Sequence, residues 1–113
     1  MKRLMLIFSI FVVAAVMVAQ ESQPRIIAIS AKRFEFTPNE ITLERGERVT
    51  LRVKAEDRDH GFFQKELGLD LDLSAERVAE VTITPQASGR FVAICDNFCG
   101  SGHGNMKMVI NVE

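Results

Sequence analysis

The side chains best suited to chemistry lie close together near the C-terminus, in residues 95–106 with the sequence CDNFCGSGHGNM. Both cysteines of the chain, one of its two histidines and a methionine fall in this stretch, as Cys95, Cys99, His103 and Met106. Thiolate, imidazole and thioether groups are ligands for soft or borderline transition metals. The glycines between them allow the backbone to fold closely around a small object. The spacing therefore predicts a metal-binding loop.

The cysteines alone leave other kinds of site open. Cys95 and Cys99 could form a disulfide in an exported protein, although a bridge that closes so short a loop would stabilise little. Zinc could bind Cys95, Cys99, His103 and a second histidine as a four-coordinate site, and Met106 would then be unused. Covalent haem attachment is excluded, because it requires a C-x-x-C-H string that this sequence does not contain.

The pattern C-x-x-x-C-G-x-x-H-x-x-M resembles the ligand loop of the dinuclear CuA centre, which is found in cytochrome c oxidase subunit II and in nitrous oxide reductase. In that family a further histidine comes from an earlier loop. The segment DHGFF at residues 59–63, followed by Glu66-Leu67-Gly68, is similar to the segment that supplies it. Both histidines of the chain, His60 and His103, therefore match ligand positions of the family.

This resemblance implies a particular set of copper ligands. Cys95 and Cys99 would be the two thiolates that bridge a pair of copper ions. His60 and His103 would each complete the coordination of one copper. Met106 would be the weak axial ligand of one of the two ions. The resemblance thus implies two copper ions as the cofactor.

The axial ligand of the second copper would be the backbone carbonyl of Asn97, at a position where the family usually has a glutamate. A carbonyl ligand tolerates that change. The family also usually has tryptophan near the centre for electron entry, whereas this chain contains no Trp and no Tyr. Phe62, Phe63 and Phe98 are the aromatic residues nearest in sequence, and we expect them to form a hydrophobic cover over the metal.

The N-terminus has the features of an export segment. A basic start with Lys2 and Arg3 precedes an apolar run over residues 4–19 that only Ser9 interrupts. This pattern is typical of a signal peptide or a short membrane anchor, and the run is shorter than the ~20 residues that a spanning helix needs. We therefore predict a signal peptide or anchor in residues 1–19, a linker in residues 20–25, and a domain that faces the periplasm or the exterior.

The charge of the chain limits its partners. Taking Lys2 and Arg3 from the 14 basic residues leaves 12 against 15 acidic ones, a net charge of −3 for the exported part. This balance argues against a nucleic-acid partner and provides no polybasic membrane patch. The resemblance instead implies a redox partner, such as a c-type cytochrome or an oxidase subunit, with membrane anchoring possible through residues 4–19.

Short alternating runs of apolar and polar residues predict an all-β domain in residues 26–113. Val49, Leu51 and Val53 repeat with period two, as is typical of a strand with one buried face, and no stretch sustains a helical period. Turns separate the runs and predict a β-sandwich. Eight strands are predicted, at residues 26–32, 34–36, 41–43, 49–53, 67–73, 77–84, 90–94 and 106–112. Their order resembles the cupredoxin Greek-key fold, with the candidate loop joining the last two strands.

Several functions remain open for such a domain. The resemblance implies electron transfer through a dinuclear copper centre, by a chain that is not catalytic by itself. A mononuclear blue-copper site made by His60, Cys99, His103 and Met106 is an alternative, although it would leave Cys95 as a spare thiol in an oxidising compartment. An exported protein that stores or delivers copper could use the same ligands. A metal-free binding module with a Cys95–Cys99 disulfide is the remaining alternative.

Overall fold

The computed structural model describes residues 23–96 and 103–113, and of His103 the backbone alone. Its described residues form nine strands and no α-helix. A short 3-10 turn occupies His103–Asn105. In chain order, the strands are β1 (Arg25–Lys32), β2 (Glu35–Thr37), β3 (Glu40–Leu43), β4 (Val49–Ala55), β5 (His60–Gln64), β6 (Leu69–Leu73), β7 (Ala79–Ile83), β8 (Gly89–Ile94) and β9 (Lys107–Val112).

The strands form two sheets that pack face to face. One has four strands in the order β2-β1-β4-β7, and the other has five in the order β3-β9-β8-β5-β6. Two pairs are parallel, β1 with β4 and β3 with β9, and the other neighbours are antiparallel. The predicted all-β sandwich is therefore confirmed.

Alternation along the strands produces the core between the sheets. Val49, Leu51 and Val53 of β4 are all fully buried, whereas Arg52 and Lys54, which point to the other face, are exposed. Across the core, the ring of Phe36 in β2 meets the ring of Phe62 in β5 edge to face, with centroids 5.3 Å apart and planes at 81°. This contact joins the two sheets, because β2 and β5 belong to different ones.

The strand that the sequence does not predict is β5. Alternation identifies the other eight, but residues 56–59 form a charged run, and the apolar Gly61-Phe62-Phe63 that follows was expected to lie over the metal. In the structure, β5 begins at His60 and pairs with β6 on one side and with β8 on the other. The prediction missed this strand because both faces of its centre are apolar, so period two does not show.

The topology brings three chain segments to one end of the five-stranded sheet. Phe63 of β5 pairs with Ile94 at the end of β8, and Ile94 pairs with Lys107 at the start of β9. Because β5 is antiparallel to β8, the first residue of β5 lies at the end where β8 stops. The loop over residues 95–106 joins β8 to β9 at this same end, as predicted.

The predicted domain boundaries remain predictions. Residues 1–19 and the first part of the proposed linker lie outside the described residues, and the first strand begins at Arg25. Among the residues that are described, no helix is long and apolar enough to cross a membrane.

Candidate metal centre

The base of the candidate loop is closed by backbone pairing. The backbone N–H of Cys95 donates to the carbonyl oxygen of Met106 at 3.2 Å, which continues the β8–β9 ladder by one step. Directly opposed residues on antiparallel strands place their side chains on the same face. Cys95 is 2% exposed and Met106 is fully buried. Both sulfur-bearing side chains therefore lie on the inner face at the rim of the sandwich.

His60 reaches the same place from β5. Its side chain has no solvent exposure, and its Nδ1 lies 3.8 Å from Sγ of Cys95. The backbone N–H of the next residue, Gly61, also donates to this Sγ, at 3.4 Å. The thiolate form of cysteine is the form that binds metals, and its sulfur can accept such a hydrogen bond. A buried imidazole and a buried thiol thus converge from positions 35 residues apart.

The second nitrogen of His60 is held by a carboxylate. Nε2 of His60 lies 2.7 Å from Oδ1 of Asp57, and Oδ2 of Asp57 accepts a hydrogen bond from the backbone N–H of Arg33 at 3.1 Å. In a neutral imidazole whose Nε2–H donates to Asp57, Nδ1 carries the lone pair on the side of Cys95. Histidines that bind metals almost always have such a partner on the other nitrogen.

The surroundings of Asp57 keep this carboxylate ionised. Burial by itself would raise the pKa of Asp57, but the hydrogen bond with His60 and those with the backbone amides of Arg33 and Arg58 act in the opposite direction. The net result is a pKa of Asp57 below its usual value. At neutral pH, Asp57 is therefore a charged acceptor that fixes the orientation of the His60 ring.

Sequence reasoning missed Asp57, because it treated the charged run at residues 56–59 as a solvated turn. All four residues of this run are exposed as whole residues, but the carboxylate of Asp57 is held by His60 and by the backbone amide of Arg33, so the interpretation is wrong for Asp57 alone. A carboxylate three residues before a candidate ligand histidine was the signal that could have identified Asp57. The amide of Arg33 comes from the distant β1–β2 turn, and nothing in the sequence indicated it.

The remaining predicted ligands are not tested by these contacts. Asn97 and Cys99 lie outside the described residues, and so does the alternative Cys95–Cys99 disulfide. His103 begins the short 3-10 turn before β9, and its side chain is not described. In the described part of the chain, no three side chains of His, Cys, Asp or Glu come together in a group that could hold a metal ion. Of the predicted ligands, the structure therefore describes the side chains of His60 and Cys95, which lie close together, and of Met106, which is buried opposite Cys95.

The expected aromatic cover is not formed by Phe62 or Phe63. Because Phe62 is two residues after His60 in β5, it shares the inner face and packs against Phe36 below the site. Phe63 is half-buried and points to the opposite face of the sheet. Phe98 lies outside the described residues. Phe62 therefore supports the buried histidine from the core side and does not shield it from solvent.

Comparison with known proteins identifies relatives of the whole described domain. A family model described as a cupredoxin-like domain matches residues 3–109. Two cytochrome c oxidase subunit 2 sequences from Thermus thermophilus are 28% identical over 87 residues, covering 77% of this chain and 64% and 52% of the relatives. A nitrous-oxide reductase from Cupriavidus necator is 29% identical over 91 residues, covering 77% of this chain and 14% of the relative. The chain thus spans about half to two thirds of the length of these two Thermus oxidase subunits.

Solved structures share the same fold. The periplasmic domain of subunit II of cytochrome oxidase from Bradyrhizobium japonicum superposes with a TM-score of 0.72 at 19% identity, over 79% of this chain and 83% of that one. Auracyanin A, a blue copper protein from Chloroflexus aurantiacus, superposes with a TM-score of 0.63 at 18% identity, over 80% of this chain and 100% of that one. The predicted cupredoxin-like fold and the relationship to oxidase subunit II and nitrous oxide reductase are confirmed.

Proposed function

The chain belongs to the cupredoxin-like domain family, and we propose that it binds copper and transfers single electrons outside the cytoplasm. One observation carries this proposal. Nδ1 of the fully buried His60 lies 3.8 Å from Sγ of the buried Cys95, and a carboxylate holds the other ring nitrogen. Imidazole and thiolate are the donors that copper takes in electron-transfer sites, and the donor set therefore fits the metal that the family implies.

We further propose that the centre is dinuclear, with Cys95 and Cys99 as bridging thiolates. His60 and His103 would be the terminal ligands. The weak axial ligands would be Met106 and the carbonyl of Asn97. The resemblance of the loop supports this set, and so does the placement of Cys95 and Met106 on one inner face. Copper bound there would supply a one-electron redox couple.

The protein's own part in electron transfer is to keep the ligands still. Ligands fixed by a rigid scaffold and by outer hydrogen bonds change little when the charge of the centre changes. Three described contacts do this here: the ladder bond between Cys95 and Met106, the amide of Gly61 on Sγ, and Asp57 on His60. The six proposed ligands would fill the coordination of both copper ions and leave no position open to a substrate, and we therefore propose that the chain is not catalytic by itself.

The relatives suggest where the chain works. Both Thermus relatives carry the name of an oxidase subunit, and the Bradyrhizobium domain is described as periplasmic. Together with the basic and apolar N-terminus, this supports an extracytoplasmic location, anchored or secreted. We propose a redox partner such as a c-type cytochrome or an oxidase subunit.

Metal analysis combined with electron paramagnetic resonance tests the proposal. We expect two copper ions per chain after reconstitution, with a hyperfine pattern of one electron shared between both nuclei. One copper per chain with a single-nucleus pattern would reject the dinuclear centre and support the mononuclear alternative. Rapid loss of copper to a mild chelator, without reversible one-electron cycling, would support storage or delivery. Failure to retain any copper would reject the proposal altogether.

A further inference from the structure

An apolar patch lies on the outer face of the five-stranded sheet, away from the core and separate from the candidate metal ligands. Its members are Phe63, Val92, Ile94 and Val109. Phe63, Ile94 and Val109 each lie between two buried residues, so alternation turns them outward, and Val92 pairs directly with Val109 and shares its face. Ile94 is 40% exposed, and the other three are half-buried. None of the four belongs to the core cluster or packs against it.

The patch is bounded by opposite charges along one row of the sheet. Lys107 of β9 pairs with Ile94 of β8, Ile94 pairs with Phe63 of β5, and Phe63 pairs with Asp70 of β6. The row across four neighbouring strands is therefore positive, apolar, apolar, negative. Both end residues are exposed. If a second copy of this row faces the first in the opposite direction, each charged end meets the opposite charge and the apolar residues meet each other.

We propose that this face is where two copies of the chain associate, about a two-fold axis that runs along the strands. Such an axis reverses the row of the second copy. Ile94 of each copy then faces Phe63 of the other, and Lys107 faces Asp70 at both ends. An axis across the strands through the same row would place Lys107 opposite Lys107, which like-charge repulsion disfavours. An isologous contact of this kind uses the same surface on both copies.

The geometry of sheets is compatible with this contact, and it also limits its strength. Two sheets pack about 10 Å apart with their strands within about 30° of each other. Four strands at about 4.8 Å spacing make a row about 14 Å wide, so the buried area falls at the low end for specific interfaces. The association is therefore weak and depends on concentration. Because Ile94 directly precedes Cys95, the axis brings the residue 95–106 loops of both copies to the same end of the dimer.

Sedimentation velocity of the full chain over a range of concentrations tests this contact with two charge reversals. Lys107→Asp places an aspartate opposite Asp70 at both ends of the dimer, and Asp70→Lys places a lysine opposite Lys107. We expect each variant to dissociate about tenfold more readily than the native chain, because like charges then meet twice. An equimolar mixture of the two variants should associate again, because both contacts of the mixed dimer are attractive. The double variant should recover in the same way.

The matched control is Lys54→Asp, which reverses an exposed charge on the other sheet and should leave self-association unchanged. Thermal melting of each variant verifies that the fold is intact. The proposal is overturned if the native chain stays monomeric at about 1 mM, where even a millimolar interface is half occupied. It is also overturned if the single variants associate as well as the native chain, or if their mixture fails to recover. Because no copper is needed, these outcomes are independent of the proposed function.

Discussion

Asp57 connects the exposed loop before β5 to a buried imidazole. One of its oxygens holds Nε2 of His60 and the other is held by the amide of Arg33. The orientation of His60 therefore depends on the β1–β2 turn, which is distant in sequence. The side chain of Asp57 is 27% exposed. Its two hydrogen bonds nevertheless make it part of the structure that supports the candidate centre.

Substituting this carboxylate should weaken metal binding. We expect Asp57→Ala to lower copper affinity about 10–100-fold, because the His60 ring loses the partner that fixes its orientation. Competitive titration with a chelator measures the change. Asp59→Ala removes an exposed carboxylate from the same loop and is the matched control, with affinity expected to stay native. Equal losses in both variants would show that the net charge of the loop, and not the contact with His60, is responsible.

Met106 allows the ligand role to be separated from packing. Met106→Leu keeps an apolar side chain of similar volume, so we expect a stability loss below about 1.5 kcal/mol. If the thioether is an axial ligand, its removal withdraws an electron donor from the oxidised centre and should raise the reduction potential. Voltammetry of the copper-loaded protein measures that potential. Met108→Leu, on the same buried face of β9, is the control, and an unchanged potential in Met106→Leu would make Met106 a core residue only.

At the residue scale, the sequence indicated some of the contacts around the candidate centre and missed others. The resemblance predicts His60 and Cys95 as ligands, and the structure brings Nδ1 of His60 to 3.8 Å from Sγ of Cys95. Asp57 was missed because the sequence of a charged run does not show whether a given carboxylate is solvated or hydrogen-bonded to the protein. The contact of Gly61 with sulfur comes from a backbone amide, which no side-chain pattern can show.

At the scale of elements, β5 is the strand that joins the core to the candidate centre. Its inward residues are His60 at the rim, Phe62 in the core and Gln64 at the far end, and all three are buried. The edge-to-face contact of Phe62 with Phe36 anchors this strand to the opposite sheet. The position of His60 therefore depends on packing two residues away.

Removing either ring of this pair should destabilise the domain. We expect Phe62→Ala to lower the free energy of unfolding by about 3–5 kcal/mol, because it leaves a cavity between the sheets. A double-mutant cycle with Phe36→Ala should give a coupling of about 0.5–1.5 kcal/mol for the aromatic contact itself. Urea denaturation measures both values. Phe34→Ala, at a ring that is 37% exposed, is the control, and a comparable loss there would argue against burial as the cause.

Strands were predictable from the sequence where one face is exposed to solvent and the other is buried. Alternation predicted β4 and β9 because buried apolar residues recur at every second position along them. Alternation failed to predict β5, because the outer face of this strand carries Phe63, a member of the apolar patch. The parallel pairing of β1 with β4 and of β3 with β9 could not be derived from period two, because register depends on partners far away in the sequence.

At the scale of the whole molecule, metal binding and folding should be linked. A ligand that binds only the folded state stabilises it by about 4 kcal/mol at a free concentration near 1,000 times Kd. For a domain of this size we expect the Tm to rise by about 15 °C or more. Calorimetry with and without copper measures the shift. The variant His60→Ala should show a much smaller rise, and a native protein whose Tm does not respond to copper would contradict a centre built into the fold.

The position of β9, the last of the described strands, determines when the five-stranded sheet can form during synthesis. β9 lies between β3 and β8 in the five-stranded sheet, and its first residues close the base of the residue 95–106 loop. A nascent chain whose residues 107–112 have not yet left the ribosome lacks the strand that joins β3 to the rest of that sheet. We therefore expect the proposed copper centre to assemble only after β9 has paired with β8, and a frameshift before residue 106 would remove β9 and Met106 together.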